Sequence, residues 1–131
     1  MPTTIYPLAN KDLTVRLFDL VKQAESLGQI RRGANETTKA LHKNKAELII
    51  IAADTDPIEI VLHLPLLCED KNVPYVYVPS MQLLGRASGV SRTVIACAIM
   101  KAPGSSMQRE IEAMKDAVEK AASKEEGEEE E

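Results

Sequence analysis

The chain is expected to fold as an α/β protein, a three-layer α/β/α sandwich, and three observations predict this. Leu48-Ile49-Ile50-Ile51-Ala52-Ala53, Tyr75-Val76-Tyr77-Val78 and Val94-Ile95-Ala96-Cys97-Ala98-Ile99 are short, continuously apolar and rich in β-branched residues, as strands covered on both faces require. Other segments repeat their apolar residues at helical spacing. The two kinds alternate along the chain, which puts helices on both faces of one sheet. A length of 131 residues fits one domain with a single core. That domain is read as residues 1–122, followed by a disordered acidic tail at 123–131.

Taken in order, Leu13, Leu17, Leu20, Val21 and Ala24 form the stripe of a first helix, and Gly28 stops it. Ile30 lies in a very short strand. A second helix is expected from about Ala34 to His42, with Ala34, Thr38 and Leu41 toward the core. After the strand at 48–53, Asp56 is expected to cap a helix that has Pro57 at its first position and Glu59 at its third. Ile58, Val61, Leu62 and Leu66 would be its buried stripe, and Pro65 should kink or break it. Beyond the strand at 75–78, Ser80 caps a short helix through Leu83 and Leu84 that ends at Gly85 or just after. The last helix is expected from Ser105, with Gln108 as capping-box partner and Met107, Ile111, Met114, Val118 and Ala121 as its stripe.

Composition narrows the function. Cys68 and Cys97 are too few and too far apart for a zinc motif or a disulfide framework, and neither His42 nor His63 has a Cys or His at ligand spacing. No metal or cofactor is expected. No apolar run is long enough to span a bilayer, and the expectation is a soluble intracellular monomer. The net charge of −4 misleads, because residues 125–131 hold six of the twenty acids and no base. Residues 1–124 carry fourteen acids against sixteen bases, a net of +2. Within 28–45, Arg31, Arg32, Lys39, Lys43 and Lys45 face one acid, Glu36. A local basic patch governs association more than the total does.

That patch contains the most informative run, Arg31-Arg32-Gly33-Ala34-Asn35-Glu36-Thr37-Thr38-Lys39. Asn35, Glu36 and Lys39 share one helix face beside an N-terminus whose free N–H groups attract phosphate. A carboxylate there repels a plain anion, but it suits a target that also offers hydrogen-bond donors, as base edges do. The competing reading makes Asn35 a simple cap, with Glu36 supporting the first turn and Lys39 solvated; it leaves Arg31-Arg32-Gly33 without a purpose. Asp56 is either the cap described above or a carboxylate that accepts from an extruded base, with Ile60 as an apolar wall. Gly85-Arg86-Ala87-Ser88-Gly89-Val90-Ser91-Arg92 lacks the Gly-Lys-Ser/Thr ending of a P-loop. Its glycines would let backbone approach a ligand, and Arg86 and Arg92 suit phosphate, with Arg92 also able to stack on a base; otherwise it is a flexible turn. No nucleophile–base–orienter set can be assembled, so no catalytic residue is assigned.

Gly33 to Lys39, His63-Leu64-Pro65-Leu66-Leu67-Cys68-Glu69, Leu84-Gly85-Arg86-Ala87 and Gly89-Val90-Ser91-Arg92, in that order, closely resemble the kink-turn-binding ribosomal protein L-seven-Ae / NHP-two-like family. The resemblance runs from about Leu8 to Met100. Glu69 to Tyr75 and Val90-Ser91-Arg92 look most like its eukaryotic spliceosomal and nucleolar branch; Thr37-Thr38 also resembles the archaeal ribosomal member. It implies a mixed four-stranded sheet, and as ligand the kink-turn, an RNA bulge flanked by tandem sheared G·A pairs. By resemblance, Gly33, Asn35, Glu36 and Lys39 contact those guanines and the adjacent backbone, and Arg32 lies against phosphate. Asp56, Ile60 and Ile95 border a pocket for the flipped-out nucleotide, and Val90, Ser91 and Arg92 pack on the bulge bases. Asp56 stands where a longer Glu is common, and Met81 where a Lys is frequent. The implied RNAs are U-four small nuclear RNA and box C/D small nucleolar RNAs, in nucleus and nucleolus, with a Nop-domain protein reading the RNA–protein surface. The alternatives are a structural protein of the large ribosomal subunit and a small-ligand binder or enzyme using the Gly85–Arg92 loop.

Overall fold

A computed structural model describes residues 7–130, and the side chains of residues 7–123. Its four strands, β1 (Ile30–Arg32), β2 (Ala46–Ala52), β3 (Tyr75–Val78) and β4 (Ala96–Met100), form one sheet in the order β1-β4-β2-β3. β4 runs antiparallel to both β1 and β2, and β2 runs parallel to β3. The sheet is therefore mixed, as expected. Two central strands need cover on both faces, which is why Leu48 to Ala52 and Ala96 to Ile99 are apolar without alternation.

Helix α1 (Lys11–Ser26), α4 (Met81–Ala87) and α5 (Gln108–Glu130) cover one face, packing on Leu48, Ile50, Val76, Val78, Cys97 and Ile99. Helix α2 (Ala34–His42) and α3 (His63–Lys71) cover the other, over Ile49, Ile51, Tyr77, Ala96 and Ala98. The α1 stripe is buried as expected, and Asn10 caps the helix by accepting from Leu13 N–H at 2.8 Å. The side chain of Gln29, nearly buried between α1 and β1, donates to Met100 O and accepts from Ser105.

Several local expectations need correction. On α2 the buried residues are Thr37, Ala40 and Leu41 rather than Ala34, Thr38 and Leu41. Thr38 turns instead toward α3, and its hydroxyl donates back to Ala34 O of its own helix. That bond uses its proton, so His63 Nε2, 2.9 Å away, is the donor to it. Asp56 caps nothing: Pro57 is extended (ψ 143°), and a single 3-10 turn, Ile58–Val61, follows. The α-helix starts only at His63, so Pro65 falls in its first turn, where no N–H is required, and does not break it. The later start resets the phase. Leu64 and Cys68 are buried, while Leu66 is 70% exposed. β4 begins at Ala96, two residues later than expected. Helix α5 begins at Gln108, whose amide donates to Glu47 and Glu112 instead of closing a capping box. The backbone of α5 is helical from Gln108 to Glu130.

Candidate nucleic-acid interface

One end of the sheet gathers the candidate residues. Gly33 N–H donates to Ala96 O (2.7 Å), Ala52 N–H to Ile95 O (2.8 Å) and Val94 N–H to Met81 O (3.1 Å). Asp54 accepts from Met81 N–H (2.8 Å), tying the loop after β2 to the start of α4. These bonds bring the mouth of α2, the end of β2 and both ends of the α4–β4 connection together.

Arg32 holds the two motifs in register. Its Nε donates to Ser88 O at 2.7 Å, and its guanidinium lies 3.7 Å from Glu25 at the end of α1. Gly89 sits against that same Glu25 side chain with φ +85°, where a Cβ would come within 2.9 Å of the carboxyl carbon. Arg32 thus ties β1 to Ser88, the residue before the Gly89–Arg92 loop, and to the end of α1. This role is not legible in the sequence, because the contact with Ser88 spans 56 residues of chain.

Gly33 is the residue before α2, at φ 94° and ψ 155°, a region that only glycine adopts readily. A Cβ there would meet nothing within 4 Å, so the requirement is conformational, not steric. No side chain caps α2. The reading of Asn35 as a cap therefore fails, and no side chain satisfies the first N–H groups of the helix. Asn35 is exposed, and Glu36 and Lys39 are exposed and paired at 3.6 Å. At that exposure the pair adds little to stability, which leaves both groups free to exchange partners.

Of the other candidates, Ile95 is half-buried in the same apolar cluster as Ala34, Ala53 and Ile58. Val90 packs half-buried on the opposite cluster, while Ser91 and Arg92 are exposed. Asp56 is exposed in the loop after β2, and Ile60 is 48% exposed on the 3-10 turn. No hydrogen bond among the described residues joins either side chain to α2. Arg86 is exposed on α4, likewise without a bond to this cluster. Gly85 is buried within α4, and Arg92 O occupies the space its Cβ would take, whereas Gly89 is exposed.

Cys97 pairs with Arg32 across the β1–β4 ladder. Burial pushes its thiol up to about 12 against the opposing pull of the Arg32 charge, and burial, reinforced by Glu69, pushes Cys68 up to about 12 as well. Both are neutral packing groups. Among the described residues no three His, Cys, Asp or Glu side chains are grouped to hold a metal ion, and no helix is long and apolar enough to cross a membrane.

The family model described as "Ribosomal protein L7Ae/L30e/S12e/Gadd45 family" matches residues 16–108. "NHP2-like protein 1" of Xenopus tropicalis is 56% identical over 115 residues, covering 88% of this chain and 90% of that protein. The "13 kDa ribonucleoprotein-associated protein" of Candida albicans is 55% identical over 114 residues, covering 87% and 90%. Among solved structures, the "Giardia lamblia 15.5kD RNA binding protein" superposes with a TM-score of 0.87 at 47% identity, over 92% of this chain and 99% of that one.

Proposed function

Because the chain belongs to the ribosomal protein L7Ae/L30e/S12e/Gadd45 family, we propose that it is a non-catalytic RNA-binding protein that recognises kink-turns. The observation that carries the reading is the uncapped mouth of α2, presenting Asn35, Glu36 and Lys39 beside the Gly89–Arg92 loop and fixed to it through Arg32 and Ser88. Sheared G·A pairs offer guanine acceptors to Asn35 and Lys39 and donors to Glu36. The paired carboxylate and ammonium would part to meet them. The bulge bases would lie on Val90, Ser91 and Arg92, since unstacked bases are the usual targets of sequence-specific RNA readers. Asp56, Ile60 and Ile95 would border the extruded nucleotide, and Arg86 would reach flanking phosphate. Binding the kinked RNA more tightly than the extended form shifts the RNA toward the kink.

The RNAs proposed are U-four small nuclear RNA and box C/D small nucleolar RNAs, with the protein nucleating ribonucleoprotein assembly in nucleus and nucleolus. Similarity to NHP2-like and 13 kDa ribonucleoprotein-associated proteins supports this setting over a structural place in the large ribosomal subunit. Co-sedimentation with large subunits would favour the latter. The Nop-domain partner would cover the α2–α3 groove lined by Thr38, His42, His63, Leu66, Leu67 and Asp70, where Leu66 is left uncovered. The deciding experiment is a titration with a kink-turn RNA and a twin whose G·A pairs are replaced by Watson–Crick pairs. Tighter binding to the first is expected, and equal affinity would sink the reading.

A further inference from the structure

Glu25 is a carboxylate at an edge proposed to bind a polyanion. It lies in the last turn of α1, which holds no basic residue. A negative charge there meets the negative end of the helix dipole, so α1 gains nothing from it. Its ion-pair partner is Arg32, with Oε1 3.7 Å from Nη2. Its side chain also lies against Gly89, so closely that a Cβ there would come within 3.0 Å of Oε1. Glu25 thus touches both the guanidinium and the first residue of the loop proposed to carry the bulge bases.

Arg32 does not need Glu25 to hold its place. Its Nε donates to Ser88 O at 2.7 Å, and Ser88 is itself buried, its hydroxyl donating to Gly85 O at 3.0 Å. The carboxylate at 3.7 Å is beyond the range of a charge-assisted hydrogen bond, about 2.7–2.9 Å, so it acts by charge alone. The terminal nitrogens of Arg32 make no hydrogen bond among the described residues. Their N–H groups form a fork that fits a phosphate. Two anions therefore compete for one cation. We propose that Glu25 sets the affinity for RNA: it is the counter-ion of Arg32 in the free protein and gives that place to a phosphate when RNA docks. The proposal rests on the kink-turn reading and adds to it a residue that opposes binding. The phosphate forms short bonds to the fork that Glu25 does not, which drives the exchange and leaves the carboxylate unpaired beside the RNA backbone. An RNA that places no phosphate at the fork leaves the pair intact and gains nothing from Arg32.

The test is a double-mutant cycle in the full chain: the parent, Glu25→Gln, Arg32→Gln and the two substitutions together, each shown to fold by its melting curve. Gln keeps the shape of the side chain against Gly89 and removes its charge. Each protein is titrated with a kink-turn RNA and its Watson–Crick twin at about 50 and about 200 mM salt, a range over which phosphate contacts are strongly screened. An exposed ion pair is worth at most about fivefold in an equilibrium constant. Glu25→Gln should therefore bind the kink-turn RNA up to about fivefold more tightly at the lower salt. One cation freed for one phosphate raises the salt slope by about 0.9, so that advantage should shrink about 3.5-fold at the higher salt. In the Arg32→Gln background, Glu25→Gln should change nothing. A second arm needs no Arg32 variant: a neutral methylphosphonate at one position of the RNA backbone should abolish the gain. A gain that survives both Arg32→Gln and every methylphosphonate overturns the proposal, since the carboxylate then repels RNA only as diffuse charge. So does a Glu25→Gln variant that binds no more tightly than the parent, which would make Glu25 a support for the Gly89 turn. A parent that binds both RNAs alike overturns the kink-turn reading alone, because the cycle reads Glu25 on either RNA.

Discussion

Gly85→Ala places a methyl group where the structure has backbone. A Cβ at Gly85 would lie 2.0 Å from Arg92 O and 3.1 Å from Arg92 C, about 1.4 Å short of the 3.4 Å at which ordinary contact with that oxygen begins. The obstacle is a carbonyl in the connection that also donates Val90 N–H to Gly85 O and Val94 N–H to Met81 O. Relief therefore requires that whole segment to shift and those bonds to stretch. Overpacking of this kind costs about 1–3 kcal/mol and sometimes more. The better helix propensity of alanine returns about 1 kcal/mol at most. A net loss of about 1 kcal/mol should lower the melting temperature by roughly 4 °C in a domain of this size. Because the displaced segment carries Val90, Ser91 and Arg92, affinity for a kink-turn RNA should fall with stability. Thermal denaturation followed by circular dichroism, with an RNA titration well below the melting temperature, measures both. A variant that melts at or above the parent and binds equally well would refute the packing argument, leaving only the propensity of alanine.

Three further expectations are independent of that one. Glu36→Ala should bind a kink-turn and its Watson–Crick twin nearly alike, whereas Arg32→Ala, which releases Ser88 O, should weaken both in parallel; discrimination preserved in Glu36→Ala would refute its role in base readout. Thr37 Oγ1 is buried without a hydrogen-bond partner, so Thr37→Val should raise stability by about 1 kcal/mol by removing a desolvated hydroxyl, and a lower urea midpoint would contradict this. The thiols of Cys68 and Cys97 ionise near 12 when folded, against 9.0 ordinarily, so above pH 9 the unfolded chain binds fewer protons than the native one. Stability should be fully present below pH 9 and fall as pH rises toward 12, by at most about 1.4 kcal/mol per pH unit per thiol. Burial also raises the Tyr75 and Tyr77 hydroxyls, in the same direction. A urea midpoint unchanged from pH 8 to pH 10.5 would count against buried, protonated thiols.

The strands, the two-sided cover and the helix from Ala34 to His42 are determined by the sequence itself, because they follow from local apolar runs and helical periodicity. The family is legible in the same way, since its motifs are contiguous stretches of chain. Phase and contact are not. Pro57 reads as a helix start and so puts Leu66 in a buried stripe; the structure starts the helix at His63 and turns Leu66 outward. Asn35 reads equally as a cap or a ligand group, and only the backbone at Gly33 removes the first option. Arg32 reads as a phosphate contact, but its bond to Ser88 is made across 56 residues of chain, and no local pattern encodes such a pair. The chemistry at the mouth of α2 is thus written locally in the sequence, while its alignment with the Gly89–Arg92 loop is decided by long-range packing around Arg32 and Gly85.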